Sequence, residues 1–425
     1  MLKKATVAFV ALCVLGGAYE LAFRDRQIAG DKKLLRIAAA GWMISEFKLH
    51  EHVARFGKDH PDVTIQMWQT PQEYENILML QTSVGELPYD MILSPSNYDI
   101  RRLVRRKLVL PLDELMSEEL KKDIFPGMLK ASQVNGKTYV LPFMGEVNIL
   151  NYRTDRFAEA GFDRAPRTWK EFEEYAKTLC FESRGSKHYG TSLIIGNNFF
   201  FTQNSYLPLL RSLGGTTVDA QGHLDLTSEH AAEAFRTIKR WVNAGIISPA
   251  SLTRDGGPDD YKSGITSMFP NWQSRGFWVI RQNRDLADKV GWAPLPESHR
   301  VGSLFAFHGG VILRGTTVEK EAGQFLIEVM MGHAQRDIIG AGKMPVLRSQ
   351  YKPENRPDNM PDWMVEVGGT LDNSYPAPEP TDFSEMSEYV TVAFQNFLDS
   401  DSDDPAGFLK WARSEIERRI YSRKK

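Results

Sequence analysis

The sequence predicts an α/β protein in two domains, built on a parallel sheet and closed by a helical C-terminus. Three observations carry that prediction. The chain has 425 residues, too many for one ordinary core. Residues 34–108 alternate strand-like and helix-like stretches in a βαβαβα order, which implies a parallel sheet with right-handed crossovers. From Thr168 onward capped helical stretches dominate, and the tail from Glu385 is helical and amphipathic.

The elements follow in order. Lys3 and Lys4 precede an apolar run over residues 5–18, the pattern of a secretory leader, with Gly16 and Ala18 as small residues before a cleavage point at Tyr19. The alternative is a retained anchor over residues 1–23, although Glu20 interrupts it. Cys13 suggests a lipidation site, but Leu12 stands where a small residue belongs.

Residues 34–40 read as an apolar run of the kind buried on both faces of a sheet. Phe47, His50, Val53 and Ala54 then fall at helical spacing. Residues 63–68 alternate with period two, as a strand does. Tyr74, Ile77, Leu78 and Gln81 mark a helix that Gly85 stops. A short strand at 91–93 and a helix marked by Ile100, Leu103, Val104 and Leu108 complete this half.

Further on, Thr168 with Glu171 and Thr316 with Glu319 form capping boxes. Ala231, Ala234, Phe235, Ile238, Trp241 and Val242 make one helix face ending at Gly245, and an acidic turn at 399–404 breaks the C-terminal helix. No composition shift marks a domain border, so the chain is expected to cross between domains more than once.

Composition narrows the function. A net charge of −2 gives no basic stripe for a nucleic-acid partner. Two cysteines, one of them in the leader, give no disulfide framework. Aromatic content of 11%, with 9 Trp, leaves rings to line a pocket.

An ordered set of segments carries a family resemblance. Gly85-Glu-Leu-Pro-Tyr-Asp90 and Leu110-Pro-Leu-Asp113 come first. Gly136-Lys-Thr-Tyr-Val-Leu-Pro142, Asn151-Tyr-Arg-Thr-Asp-Arg-Phe157 with Ala160-Gly161, and Pro166-Arg-Thr-Trp-Lys-Glu-Phe172 follow. Ser263-Gly264 leading to Trp272, and Gly309-Gly310 before an apolar strand, complete the set. In this order they resemble the family 1 extracellular solute-binding proteins of ABC importers, the maltose-binding-protein-like group. Asn151-Tyr152 reverses the family's usual order, and Thr266-Ser267 stands where the family often has Ala.

The resemblance implies a two-lobed periplasmic binding protein (Venus-flytrap) fold with three interlobe crossings. These are expected near 141–147, 296–305 and 345–351. Residues 31–142 with 305–345 would form one lobe, and 143–304 with 346–425 the other. It implies a monomeric, extracytoplasmic receptor that takes a carbohydrate or similar solute into a cleft, closes by hinge motion and docks on a membrane ABC permease, with no cofactor.

Ligands of parallel sheets sit beyond the carboxyl ends of the strands. That rule singles out Gly41-Trp42, Gln69-Thr70 and the stretch from Ser94 to Asn97 and Tyr98. A sugar stacks its C–H face on an aromatic ring and needs donors and acceptors at the rim. Trp42 is a candidate ring, with a packing role as its alternative, and Trp272 stands where the family places a stacking aromatic. Asn97 can donate and accept. Glu146 can accept two hydroxyls or hold a salt bridge. Arg275 can clamp an anionic group or orient Glu146. His308 precedes Gly309, whose bare backbone permits close approach of a ligand. Phe199, Phe200 and Phe201 offer either one cleft ring or a buried cluster. Phe277 and Trp278 read as core, and Trp68 and Trp241 as packing.

Signs of catalysis are few. No G-x-S-x-G, P-loop or G-x-G-x-x-G motif occurs. His50-Glu51-His52 cannot converge on one metal, because adjacent helical residues diverge. Two alternatives stay open: a receptor for another solute, such as a polyamine, a ferric ion or a sugar phosphate, and a carbohydrate-acting hydrolase. The hydrolase would require two carboxylates about 5–10 Å apart.

Overall fold

The apolar stretch at 34–40 becomes strand β1 (Lys33–Ala39) of the computed structural model, which describes residues 32–70, 78, 87–96, 99–183, 185–196, 198–219, 223–253, 256–376 and 383–422. The leader at 1–23, most of the helix expected around Tyr74, and Asn97 with Tyr98 lie outside the described residues. β1 is not apolar throughout. Arg36 interrupts it and grips Asp90 Oδ2 at 3.0 Å and the Leu87 carbonyl at 2.6 Å, while Leu35, Ile37, Ala38 and Ala39 are fully buried.

Further strands follow in chain order: β2 (Val63–Gln69), β3 (Met91–Ser96), β4 (Gln133–Val134), β5 (Lys137–Thr138), β6 (Leu141–Arg153), β7 (Phe181–Ser183), β8 (Ser186–Thr191), β9 (Thr266–Trp272), β10 (Val290–Ala293), β11 (Leu304–Ile312) and β12 (Tyr375–Pro376). The chain divides into two compact units. The first comprises Met1–Lys121, Ser132–Phe143 and His308–Ile338, and the second Lys122–Ala131, Met144–Phe307 and Ile339–Lys425. Two of the changeovers fall inside β6 and β11.

In the first unit the strands lie in the order β2-β1-β3-β11. β1 pairs in parallel with both β2 and β3, and β11 runs antiparallel to β3. Chain order therefore reverses between β1 and β3, the switch point where an open sheet leaves a crevice at its strand ends. The helix expected around residues 47–54 is two helices, Gly41–Glu46 and Leu49–Asp59. They are separated at Lys48, which adopts a left-handed φ of 49°. Its buried face runs through Leu49 and Phe56, and Ala54 is exposed. His52 donates to or accepts from Asp337 at 3.0 Å, and His50 is exposed. Thr316 does not cap the helix Glu319–Gln324. Its hydroxyl donates to Asp90 Oδ1 at 2.8 Å and accepts from the Val318 N–H, so a buried acid competes successfully for it.

In the second unit β9 lies between β6, which is antiparallel to it, and β8, which is parallel. β7 extends β8, and β10 pairs with β6. Thr168 caps the helix Trp169–Thr178 by accepting from the Glu171 N–H at 3.1 Å. Ser228 caps Glu229–Asn243. That helix buries Ala231, Ala234, Phe235, Ile238 and Trp241, and Gly245 ends it with φ 66°. Trp241 packs against Trp169 and Phe172, as its place in a regular element suggested. Phe201 is fully buried. The helices Phe383–Leu398 and Ala406–Ile416 flank the acidic turn. Cys180 is a free, half-buried thiol. No described helix is long and apolar enough to cross a membrane.

Glu171 also accepts from Arg164 at 2.9 and 3.0 Å and from the Arg167 N–H at 2.7 Å. The Arg164 guanidinium, aided by that N–H, draws the Glu171 carboxyl down to about 2 from 4.5. A carboxyl lowered on folding stabilises the native state above its ordinary value and loses that contribution as pH falls through the folded one. The unfolding midpoints of the parent and Glu171→Gln should therefore differ at pH 6 and converge between about pH 4.5 and 2. Parallel curves across that window would show that the pair contributes nothing.

Candidate functional site

Three of the expected site residues meet at the switch point of the first unit. The helix Gly41–Glu46 starts one residue beyond β1, so Trp42 stands at the strand's carboxyl end. Gly41, at the start of that helix, lies against the Gln69 side-chain amide at the end of β2. Trp42 is 37% exposed, and its ring is held edge-on by Phe47 and by His308, each at 5.5 Å between centroids. His308 enters β11 opposite Ser96, and its Nδ1 lies 3.0 Å from the Ser94 carbonyl. A carbonyl can only accept, so Nδ1 carries the proton and the ring orientation is fixed.

The ladder between β3 and β11 shifts register between His308 and Gly310, so Gly309 stands against two residues of a bulge on β3, Ser94 and Pro95. Gly309 is packed closely on one side. A Cβ there would lie 2.3 Å from Val140 Cγ1 and 2.5 Å from the Leu141 carbonyl, so the glycine serves close chain packing.

The remaining candidates lie in the second unit. Glu146, on β6, accepts from Ser274 Oγ at 2.5 Å and from Lys343 Nζ at 2.6 Å. Both charged side chains of that pair are only 12% exposed. Arg275 does not meet Glu146. It sits half-buried in the first turn of the helix Gln273–Gln282 and makes no ion pair among the described residues. Trp272 ends β9 and is 4% exposed, so of the two expected stacking rings only Trp42 presents an open face. Gln273, which the sequence reading passed over, is fully buried. It accepts from the Val147 N–H at 2.8 Å and donates to the Gly342 carbonyl at 3.2 Å, fixing that helix start against the Glu146 strand. Buried asparagines continue the polar row. Asn148 donates to Asn204 Oδ1, Asn204 donates to Asn271 Oδ1, and Asn271 Oδ1 also accepts from the Trp272 N–H at 2.8 Å.

Ser274 and Lys343 were also missed. Ser274 was visible as a polar neighbour of Trp272. Lys343 lies 197 positions from Glu146, and no local pattern pairs them. A pocket of about 410 Å³ elsewhere in this unit, lined by Arg164, Pro166, Arg167, Leu295 and Glu297 among others, contains none of the expected residues.

A family model for bacterial extracellular solute-binding proteins matches residues 47–326. The chain belongs to that family. A probable ABC transporter-binding protein of Deinococcus radiodurans is 24% identical to this solute-binding protein over 302 residues, 69% of this chain and 71% of that one. A putative binding protein of Brucella abortus is 24% identical over 261 residues, and the chain spans 61% of its length. Among solved structures, maltose-bound MalE3 of T. maritima superposes with a TM-score of 0.76 at 20% identity, covering 91% of this chain and 100% of that one. The sugar-binding protein MalE of Xanthomonas citri gives 0.77 at 17%, covering 92% and 98%. The fold is that of the two-lobed, MalE-like binding proteins.

Proposed function

We propose that this solute-binding protein captures a carbohydrate or a sugar-like polyol outside the cytoplasm and delivers it to a membrane ABC permease. Trp42 carries the reading. Its indole is open to solvent at a strand-end switch point and braced by Phe47 and His308. That arrangement suits the apolar face of a sugar, which gains from a fixed aromatic wall. Ser94 and His308 stand beside that ring, and Asn97, Gly309, Glu146, Trp272 and Arg275 are the other residues we propose for ligand binding. The maltose of one structural neighbour and the sugar-binding description of the other favour the same ligand class.

A polyamine site needs uncompensated acids, and the charge of Glu146 is already met by Lys343. That pairing also weighs against Glu146 as one of a catalytic carboxylate pair, and no catalytic step or cofactor enters the proposal. Export through the Lys3–Lys4 leader and action as a monomer complete it.

The test is a thermal-shift screen of the leaderless protein against sugars, polyols, sugar phosphates, polyamines and amino acids. A ligand at 100 times its Kd stabilises by about 2.7 kcal/mol. One responding carbohydrate or polyol class supports the reading. A response confined to polyamines or amino acids overturns the ligand class, and conversion of a sugar to new products overturns the receptor assignment.

A further inference from the structure

A second polar cluster in the second unit has no part in the proposed sugar site. Arg211, on the helix Leu207–Ser212, is 8% exposed, and its Nε is buried with no hydrogen-bond partner. Its guanidinium lies over the Tyr375 ring at 3.5 Å. A second cation, Arg300, acts on it, with its guanidinium carbon 5.9 Å from the same ring. Among the described residues no carboxylate makes an ion pair with either arginine.

Arg300 has a structural explanation. Its Nε donates to the Arg211 carbonyl at 3.0 Å, and its Nη2 donates to the carbonyls of Gly214, at 2.8 Å, and Gly215. Arg211 has only the Tyr375 side chain as a partner, and its Nε has none. A guanidinium cannot shed its charge at any ordinary pH, and buried charges are otherwise paired. The ring contact offsets only part of the desolvation, and the neighbouring Arg300 opposes the Arg211 charge.

The cluster is also fixed in place. Ser298 N–H donates to Ser212 Oγ at 2.9 Å and His299 N–H to the Ser212 carbonyl at 2.9 Å. A Cβ at Gly302 would come 2.1 Å from the Pro208 carbonyl, so the loop carrying Arg300 is pressed on the helix carrying Arg211. Tyr375 is tied to the same loop through its N–H, which donates to the Ser303 carbonyl at 3.0 Å.

We propose that Arg211, Arg300 and Tyr375 form a binding site for a small oxyanion, a phosphate or a carboxylate. Two guanidiniums and a phenol converge there, and an oxyanion supplies the missing charge in the geometry that arginine recognises best. The site shares no residue with the proposed sugar site, so it can hold whether or not the main ligand is a sugar.

The experiment uses inorganic phosphate, sulfate and acetate, each titrated at constant ionic strength made up with sodium chloride, with the unfolding midpoint as readout. The parent should show a saturable rise of about 3 °C with at least one oxyanion. Arg211→Met should lose that rise while its anion-free midpoint stays at or above the parent's, since a buried unpaired charge has been removed. Arg300→Gln should lose the rise too, and it keeps the test valid if Arg211→Met folds poorly. Isothermal titration of phosphate into the parent and Arg300→Gln gives a second reading of the same loss. A parent with no saturable shift beyond chloride, or variants that shift as the parent does, would overturn the proposal.

Discussion

Trp42→Ala should bind the sugar about ten- to a hundredfold more weakly, while its unliganded unfolding midpoint stays within about 4 °C of the parent's. The two effects separate because the ring is only partly structural. Trp42 is 37% exposed, and its ring meets Phe47 and His308 edge-on. Losing those contacts costs roughly 1 kcal/mol, the ordinary cost of a partly exposed substitution. The open face has more to lose. Covering some 60–100 Å² of sugar C–H surface is worth about 1.5–2.5 kcal/mol at 25 cal/mol per Å². Trp42→Phe keeps a smaller face and should retain most of the affinity. Isothermal titration with the sugar identified by the screen measures all three proteins. An alanine variant that binds as tightly as the parent removes Trp42 from the site.

Trp42 was legible from sequence because a strand-end position is set by local pattern. The run through Leu35, Ile37, Ala38 and Ala39 gives β1, and the turn after it must carry whatever residues come next. The helix Glu229–Asn243 was legible for the same reason, since its buried residues repeat at helical spacing. The cap at Thr168 held because the Glu171 N–H lies within one turn of its hydroxyl, while the Glu171 carboxylate turns to Arg164 and the Arg167 N–H.

What the sequence left unread or open shares a physical cause. Thr316 matches the same box, but Asp90, 226 positions away, takes its hydroxyl. The packing of Val140 and Leu141 against Gly309 is likewise not written in its neighbours along the chain. The charge of Glu146 is met by Lys343, which only the fold brings near. Local hydrogen bonds and periodicity are written in neighbouring residues. Competition from distant partners is not, and it decides the state of most polar side chains.

Lys239→Met should lower the unfolding midpoint of the second unit by about 10 °C and strip amide-exchange protection from the helix Phe383–Leu398. Lys239 is 7% exposed, on the helix Glu229–Asn243. Its Nζ donates to the carbonyls of Phe397 at 2.7 Å, Ser400 at 2.6 Å and Ser402 at 3.0 Å, and it lies 4.4 Å from the centre of the Phe397 ring. Those three bonds use all the donors an ammonium has. They also satisfy carbonyls where the helix Phe383–Leu398 ends and the acidic turn begins, where a cation favours the helix dipole. Methionine fills nearly the same volume, so little packing is lost, but the Ser400 and Ser402 carbonyls lose the ammonium, and the Phe397 carbonyl keeps only Ser400 as donor, through its Oγ at 2.8 Å and its N–H at 3.3 Å. At about 1–3 kcal/mol for each buried group left unpaired, with partial rescue by water, a loss of about 3–4 kcal/mol is expected. Lys239→Arg tests the cause: a planar guanidinium keeps the charge yet misses the three-point geometry, so it should recover only part of the loss. If Met and Arg cost the same, the contribution is the shape of the donor set rather than its charge. If neither lowers the midpoint, the C-terminal helices are held by their apolar faces alone.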